Sequence, residues 1–265
     1  MLNKPYKFQR ERYDEILFTS DQHYSHDPKW DKPLWARRGF KSVESHDSWL
    51  RDQYSKVSAN SIIFSLGDPA LNSTMDSMLG MFNQTRAQIF HIWGNHFSCD
   101  YALYKIAMNT FLFENGFIEE SDLIKPTSLP FEIYPLTSSR YISSLSLQND
   151  SRDVPVISYQ TGPHPLEDGS PSITFLGSQA IIQVNKQLIH LCHMAPKIWT
   201  RGAIALFGHS HGDLHGAQPE DRDGGKVLDC GIENSLKYNG TAFFTYEEVL
   251  KIMDKKPKIS LDHAD

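Results

Sequence analysis

The sequence predicts an α/β protein, and three observations carry that class. Short apolar runs recur along the chain and end abruptly in polar residues. Between several of them lie longer segments whose apolar residues return at helical spacing. At 265 residues the chain can bury one substantial core. The expectation is therefore a single domain over 1–265, of α/β or mixed sandwich type.

Taken in order, "EILFTS" (15–20) reads as a first strand. From Ser42 to Val57, Val43, His46, Leu50, Tyr54 and Val57 fall at helical spacing, with Ser42 as N-cap. "SIIFSL" (61–66) is a second strand, and Met75, Met78, Leu79 and Phe82 mark a short core-packing helix. "AQIFHIW" (87–93) is a third strand, in which His91 is a packed residue. Tyr101, Tyr104, Ala107, Met108 and Phe111 place another helix within 100–113.

Residues 125–178 are rich in Pro and Ser, with short β-like pieces in "FEIYPL", "VPVISYQ" and "SITFLGS". So long a connection is usually functional, and it is predicted to be an insertion or lid on the core. "AIIQV" (180–184) and "QLIHLC" (187–192), joined by Asn185-Lys186, predict a hairpin containing a packed His190. "AIALFG" (203–208) is a further strand. Thr245 and Glu248 form a capping box that opens a helix burying Val249, Leu250, Ile252 and Met253.

Composition narrows the function classes. A net charge of −6 argues against broad attraction to nucleic acid or anionic membrane, although a local basic patch stays possible. Cys99, Cys192 and Cys230 lack the number and spacing of a disulfide framework, which fits a reducing compartment. The N-terminus has no apolar signal region and no apolar run approaches a membrane span. The expected location is the cytoplasm.

Five apolar strands end in metal-ligand side chains. "ILFTS" runs into Asp21-Gln22-His23, "IIFSL" into Gly67-Asp68, and "IFHIW" into Gly94-Asn95-His96. "LIHLC" runs into His193, and "IALFG" into His209-Ser210-His211. Singly, an Asp after a strand is usually a turn residue or N-cap, Gly-Asn a turn, and a lone His a satisfied core residue. Five such endings on one chain need five coincidences. Sites in open α/β sheets form at the carboxyl ends of strands. Asp21, Asp68 and Asn95 supply oxygens; His23, His193, His209 and His211 supply nitrogens, with His96 to spare. That set suits two adjacent cations and is too rich for one structural zinc.

The blocks "SDQH", "LGDP", "WGNH", "LCHM" and "FGHSHG" resemble, in order, those of the calcineurin-like metallophosphoesterase superfamily. The resemblance spans residues 21 to 211. It implies two packed mixed β-sheets flanked by helices, a four-layer αββα sandwich. It implies that Asp21, His23 and His211 hold one metal, that Asn95, His193 and His209 hold the other, and that Asp68 bridges both. A carboxylate can bridge through its two oxygens, which neither an amide nor an imidazole does as well. Two divalent ions roughly 3.5–4 Å apart polarise phosphoryl oxygens and supply a bridging hydroxide for in-line attack. Asn95 and His96 would share the catalytic work, Asn95 on the metal and His96 at the leaving-group oxygen, where an imidazole can hand over a proton.

The implied activity is hydrolysis of a phosphate ester, first of all a diester such as a nucleotide or another small molecule. A phosphomonoesterase, a nuclease with the same metals, and a noncatalytic scaffold of this fold are the alternatives; intact ligands weigh against the scaffold. The donor set suits Mn²⁺ first, with Fe, Zn²⁺, Co²⁺ or Ni²⁺ as alternatives. "GDPALNS" lacks the Asp-Arg of the protein Ser/Thr phosphatase branch. "SDQHYSH" and "ARRGFKSVESHDSWL" instead look like small bacterial and phage phosphoesterases. In that comparison His26 and Arg38 (or Arg37) become candidate substrate-binding residues, against a plain reading as a surface turn and a solvated basic turn. Phe97 stands where the family usually has an acid, removing a carboxylate that would orient a ligand. His164 and His215 read as loop histidines.

Overall fold

The computed structural model describes residues 5–27, 33–70, 81–82, 84–96, 119–122, 134–135, 159–160, 173–177, 179–196, 202–214 and 226–256. The helix expected at 100–113, most of the one marked by Met75 to Phe82, and the readings of Phe97, Cys99, His164 and His215 lie outside these residues.

The apolar runs form two mixed sheets. The first five strands in the chain are β1 (Tyr6–Phe8), β2 (Ile16–Thr19), β3 (Ile62–Ser65), β4 (Gln88–Ile92) and β5 (Tyr134–Pro135). Then come β6 (Tyr159–Gln160), β7 (Ile173–Gly177), β8 (Gln179–Val184), β9 (Gln187–Cys192), β10 (Ile204–Phe207), β11 (Val227–Asp229) and β12 (Phe244–Thr245). One sheet runs β1-β8-β9-β10-β11 and the other β12-β2-β3-β4-β7-β6-β5. In the second sheet β2, β3, β4 and β7 are parallel neighbours, so the ends of β2, β3 and β4 point the same way. In the first, β9, β10 and β11 are parallel to one another.

Side-chain alternation explains why the two sheets share a core. Ile16 and Phe18 of β2, Ile62 and Phe64 of β3, and Phe90 of β4 join Ile182, Ile189, Leu191, Ile204 and Leu206 of the other sheet in one apolar cluster. The intervening Leu17, Ile63 and Ile89 face the other way, onto Leu50 and Tyr54 of α2 (Val43–Ser55) and Ile232 of α3 (Ile232–Asn239). With both faces covered, these strands read as continuous apolar runs.

The start of α2 is capped by Ser42, whose hydroxyl accepts from Ser45 N at 3.3 Å. α1 is the short turn Leu34–Arg37. The capping box of α4 (Tyr246–Lys255) forms as the sequence predicts. Thr245 accepts from Glu248 N at 3.2 Å and Glu248 from Thr245 N at 2.9 Å. The hairpin β8–β9 turns at Asn185, which takes a left-handed φ of 53°.

Within 125–178 the described residues are 134–135, 159–160 and 173–177. β7 pairs in parallel with β4 inside the seven-stranded sheet, and β6 and β5 extend its edge. A lid formed by the remainder would lie outside the described residues. Among those residues no helix is long and apolar enough to cross a membrane.

Candidate metal centre

Backbone hydrogen bonds tie the ends of β2 and β3 together, and those of β9 and β10. The Asp68 and Asp21 carboxylates, accepting from His96 N at 3.0 Å and His209 N at 2.8 Å, join the rest. Asp21 N donates to Gly67 O at 3.0 Å, His23 N to Asp68 O at 3.1 Å, and Gly208 N to His193 O at 2.8 Å. Asp21, His23, Asp68, His209 and His211 all take left-handed φ, between 48° and 70°. For a residue with a Cβ such a conformation costs on the order of 1–3 kcal/mol, and it persists where surrounding contacts over-determine it. The strain is therefore concentrated on the candidate ligands. Two glycines make the approach possible by having no side chain. A Cβ on Gly94 would collide with the Asp68 carboxylate, and one on Gly208 with the Ser20 hydroxyl and the Asp21 carboxylate.

On one side stand Asp21, His23 and His211. His23 Nε2 and His211 Nε2 each lie 3.9 Å from Asp21 Oδ1. Asp21 Oδ1 and both ring nitrogens of His23 are buried with no hydrogen-bond partner among the described residues. Buried polar atoms are normally paired, so three orphans in one spot need an explanation. A cation supplies one. Ligand atoms each about 2.1 Å from one ion stand roughly 3–4 Å apart, the spacing found here. Glu233, which can only accept, faces His211 Nδ1 at 3.2 Å. The hydrogen therefore sits on Nδ1 and the Nε2 lone pair faces the cluster.

On the other side stand Asn95, His193 and His209. His193 Nε2 and His209 Nδ1 both lie 2.7 Å from Asn95 Oδ1. The Leu66 carbonyl accepts from His193 Nδ1 at 2.8 Å, which leaves Nε2 to face inward. Asp68 lies between the sides. Its Oδ2 is 3.1 Å from His193 Nε2 and 3.7 Å from His96 Nε2, while Oδ1 accepts from His96 N at 3.0 Å. Donor atoms come within 4.8 Å of one another in the triples Asp21-His23-His211, Asp21-Asp68-His193 and His23-Asp68-His96. The residues present thus fit a pair of neighbouring cations, with Asp68 placed to serve both.

Electrostatics favours charge separation in the centre. Burial works to raise the carboxyl pKa of Asp68, but the hydrogen bond and charge of His193 hold it well below the ordinary range. Burial opposes ionisation of Asp21 too, and is overcome by His23, His211 and His193. Burial pulls His193 down, while Asp68 and Asp21 outweigh it and push its pKa up to about 9. A cation bound at His193 would have to displace the proton that this shift favours.

The remaining sequence candidates divide. His96 is half-exposed, its side chain 39% open, with its ring centroid 5.4 Å from that of His23; His209 is more open still. His26 stacks at a tilt against His23 at 5.4 Å, and its buried Nδ1 lacks a partner among the described residues. Burial first, then His23 and His96, push its pKa down to about 4, so it is a neutral imidazole at pH 7. Arg38 corrects the expectation of a substrate-facing cation. Its guanidinium is fully buried and donates to the Asp21 carbonyl at 2.6 Å, the Gln22 carbonyl at 2.9 Å and Glu233 Oε1 at 3.0 Å. A fork with these acceptors on its inner side cannot also meet a phosphate in the crevice. Arg37 is exposed and lies 3.7 Å from Asp213.

Three contributors escaped the sequence reading. Asp229, at the end of β11, accepts from Ser210 Oγ, from Gly212 N at 2.9 Å and from Gly231 N at 2.7 Å, fixing the turn that carries His209 and His211. Burial, then the charge of Asp21, raise its pKa to about 6. Asp47 of α2 accepts from Ser25 N at 3.1 Å and holds the end of the Asp21–His23 loop. Glu233 orients His211. Asp229 had a signal, since it too is an Asp that closes an apolar run.

The chain matches no protein-family model and no curated protein. Among solved structures it is similar to a protein of unknown function from Aquifex aeolicus. The TM-score is 0.47 at 14% identity, over 90% of this chain and 98% of that one.

Proposed function

We propose that this chain is a dinuclear metal-dependent phosphoesterase, and most specifically a phosphodiesterase acting on a nucleotide or another small diester. The observation that carries the reading is the set of unpartnered buried donors, Asp21 Oδ1 and both nitrogens of His23, facing a second histidine-rich cluster across Asp68. Asp21, His23 and His211 would hold one ion; Asn95, His193 and His209 would hold the other, and Asp68 would serve both. Mn²⁺ is the first choice, with Fe, Zn²⁺, Co²⁺ and Ni²⁺ compatible with the same donors. Such a pair, when bound, polarises phosphoryl oxygens and makes water acidic enough to attack near neutral pH.

The protein's own groups do the rest. Leu66 O and Glu233 hold His193 and His211 with their Nε2 lone pairs inward. His96, half-exposed and tied by its backbone to Asp68, would give a proton to the departing oxygen. His26, a neutral imidazole whose buried Nδ1 has no partner among the described residues, would face the substrate. In this reading the two mixed sheets are the inner layers of a four-layer αββα sandwich. The free buried thiols of Cys192 and Cys230 suit a reducing compartment, and the location we favour is the cytoplasm.

The test is an activity screen with Mn²⁺ added, comparing bis(p-nitrophenyl) phosphate with p-nitrophenyl phosphate, followed by cyclic and linear nucleotides. Metal-dependent turnover of the diester above that of the monoester is the expected result. Turnover of the monoester alone would move the activity to the phosphomonoesterases. No turnover of either by metal-loaded protein would remove the enzymatic reading.

A further inference from the structure

We propose that Arg38 and Glu233 form a buried positioning pair that sets one of the two cation sites, the one built from Asp21, His23 and His211, and leaves the other untouched. The inference rests on the dinuclear reading and adds residues that the motif blocks do not contain.

Arg38 ends the turn α1, and Glu233 lies 195 residues later in the first turn of α3. Arg38 Nη2 donates to the Asp21 carbonyl at 2.6 Å and lies 2.9 Å from Glu233 Oε1. Nη1 donates to the Gln22 carbonyl at 2.9 Å and stands 2.9 Å from His46 Nε2. Nε donates to Glu233 Oε1 at 3.0 Å, and the same oxygen accepts from His211 Nδ1 at 3.2 Å. His211 Nε2 in turn faces Asp21 Oδ1 at 3.9 Å. The path from the backbone of Asp21 through Arg38, Glu233 and His211 back to the side chain of Asp21 is a closed ring. Two of the three candidate ligands of this site are members, and the third, His23, is two residues from Asp21 on the loop that Arg38 grips.

The other site is held by different means. His193 is oriented by the Leu66 carbonyl, and Asn95 by its place after β4. These contacts of Arg38 and Glu233 include none of Asn95, His193 or His209.

Stability alone is a weak reason for such a pair. Taking two charges out of water offsets much of their attraction, and apolar residues of similar volume often do as well. A planar fork whose N–H groups reach a carboxylate and two carbonyls of a strained loop is a geometric device, and lysine, with one nitrogen, cannot reproduce it. Groups that orient metal-binding histidines typically change affinity 10–100-fold when altered.

The experiment uses the full chain, titrated with Mn²⁺ by calorimetry and read by paramagnetic resonance, with Glu233→Gln and Arg38→Lys beside the unaltered protein. The unaltered chain should take up two ions and give the spectrum of a coupled pair. Each variant should keep one tight ion and lose about 10–100-fold in affinity at the other. Its spectrum at one equivalent should be that of an isolated ion. The unfolding midpoint should fall, because each change leaves a buried partner poorly paired, while the ion of the other site stays bound. Adding Asn95→Ala to Glu233→Gln should remove the remaining ion, whereas adding His23→Ala should not. Two tight ions in both variants would overturn the pairing while leaving the dinuclear reading intact. Loss of both ions would mark a purely structural pair and overturn it too. Should Arg38→Lys fail to fold, the nearly isosteric Glu233→Gln decides alone. An unaltered folded chain that takes up no Mn²⁺ would overturn the dinuclear reading and this inference with it.

Discussion

On the proposed dinuclear reading, Asp68→Asn is expected to give a folded protein that neither holds two ions nor hydrolyses phosphate esters. Both oxygens of Asp68 are in use: Oδ1 accepts from His96 N at 3.0 Å, and Oδ2 faces His193 Nε2 at 3.1 Å. An amide keeps the shape but offers one acceptor oxygen and two N–H donors. It would turn an N–H either toward the His96 backbone N–H or into the space between the two clusters. Either orientation removes the one group that serves both sides. Loss of a preorganised electrostatic contact at the reacting centre costs roughly 10²–10³ in rate, and loss of the shared ligand should cost at least that. Activity within a few-fold of the unaltered protein, with two ions still bound, would show that Asp68 is not shared.

His96→Ala should give the opposite split, with both ions retained and turnover reduced roughly 10²–10⁴-fold, the usual worth of a positioned acid or base. The geometry leaves a real contest here. His96 Nε2 lies 3.7 Å from Asp68 Oδ2, and its donor atoms fall in a triple with those of His23 and Asp68, as a ligand's would. Against that, its side chain is 39% open, whereas His23 and His193 are buried; His209, an assigned ligand, is open as well, so exposure alone does not decide. Metal content separates the two roles, since an acid can be removed without losing an ion. The leaving group gives a second reading. A proton donor matters most for a poor leaving group, so the defect should be larger on an alkyl diester than on a p-nitrophenyl one. An equal defect on both, with one ion lost, would make His96 a ligand.

Much of this arrangement was legible in the chain because strand ends are local features. The runs that became β2, β3, β4, β9 and β10 are apolar on both faces, and each gives way to a short polar block. The helix α2 and the capping box of α4 were equally readable, since periodicity and caps are fixed within one or two turns. The direction of Arg38 was not. Nothing local distinguishes a guanidinium facing a crevice from one facing the carbonyls of Asp21 and Gln22, and its carboxylate partner is on the far side of the sequence. α3 was missed because its N-cap, Gly231, has no side chain to signal a start. β1, β11 and β12 are too short to show a pattern and exist only through their neighbours. The left-handed backbones at Asp21, His23, Asp68, His209 and His211 also carry no local mark, because none of these residues is glycine.

The measurement closest to the central claim is the metal content of the full chain after equilibration with Mn²⁺ and removal of loose ions. Two ions per chain, falling below two in Asp68→Asn, is the predicted result. A folded chain that retains none, or one whose single ion survives Asp68→Asn unchanged, would contradict it.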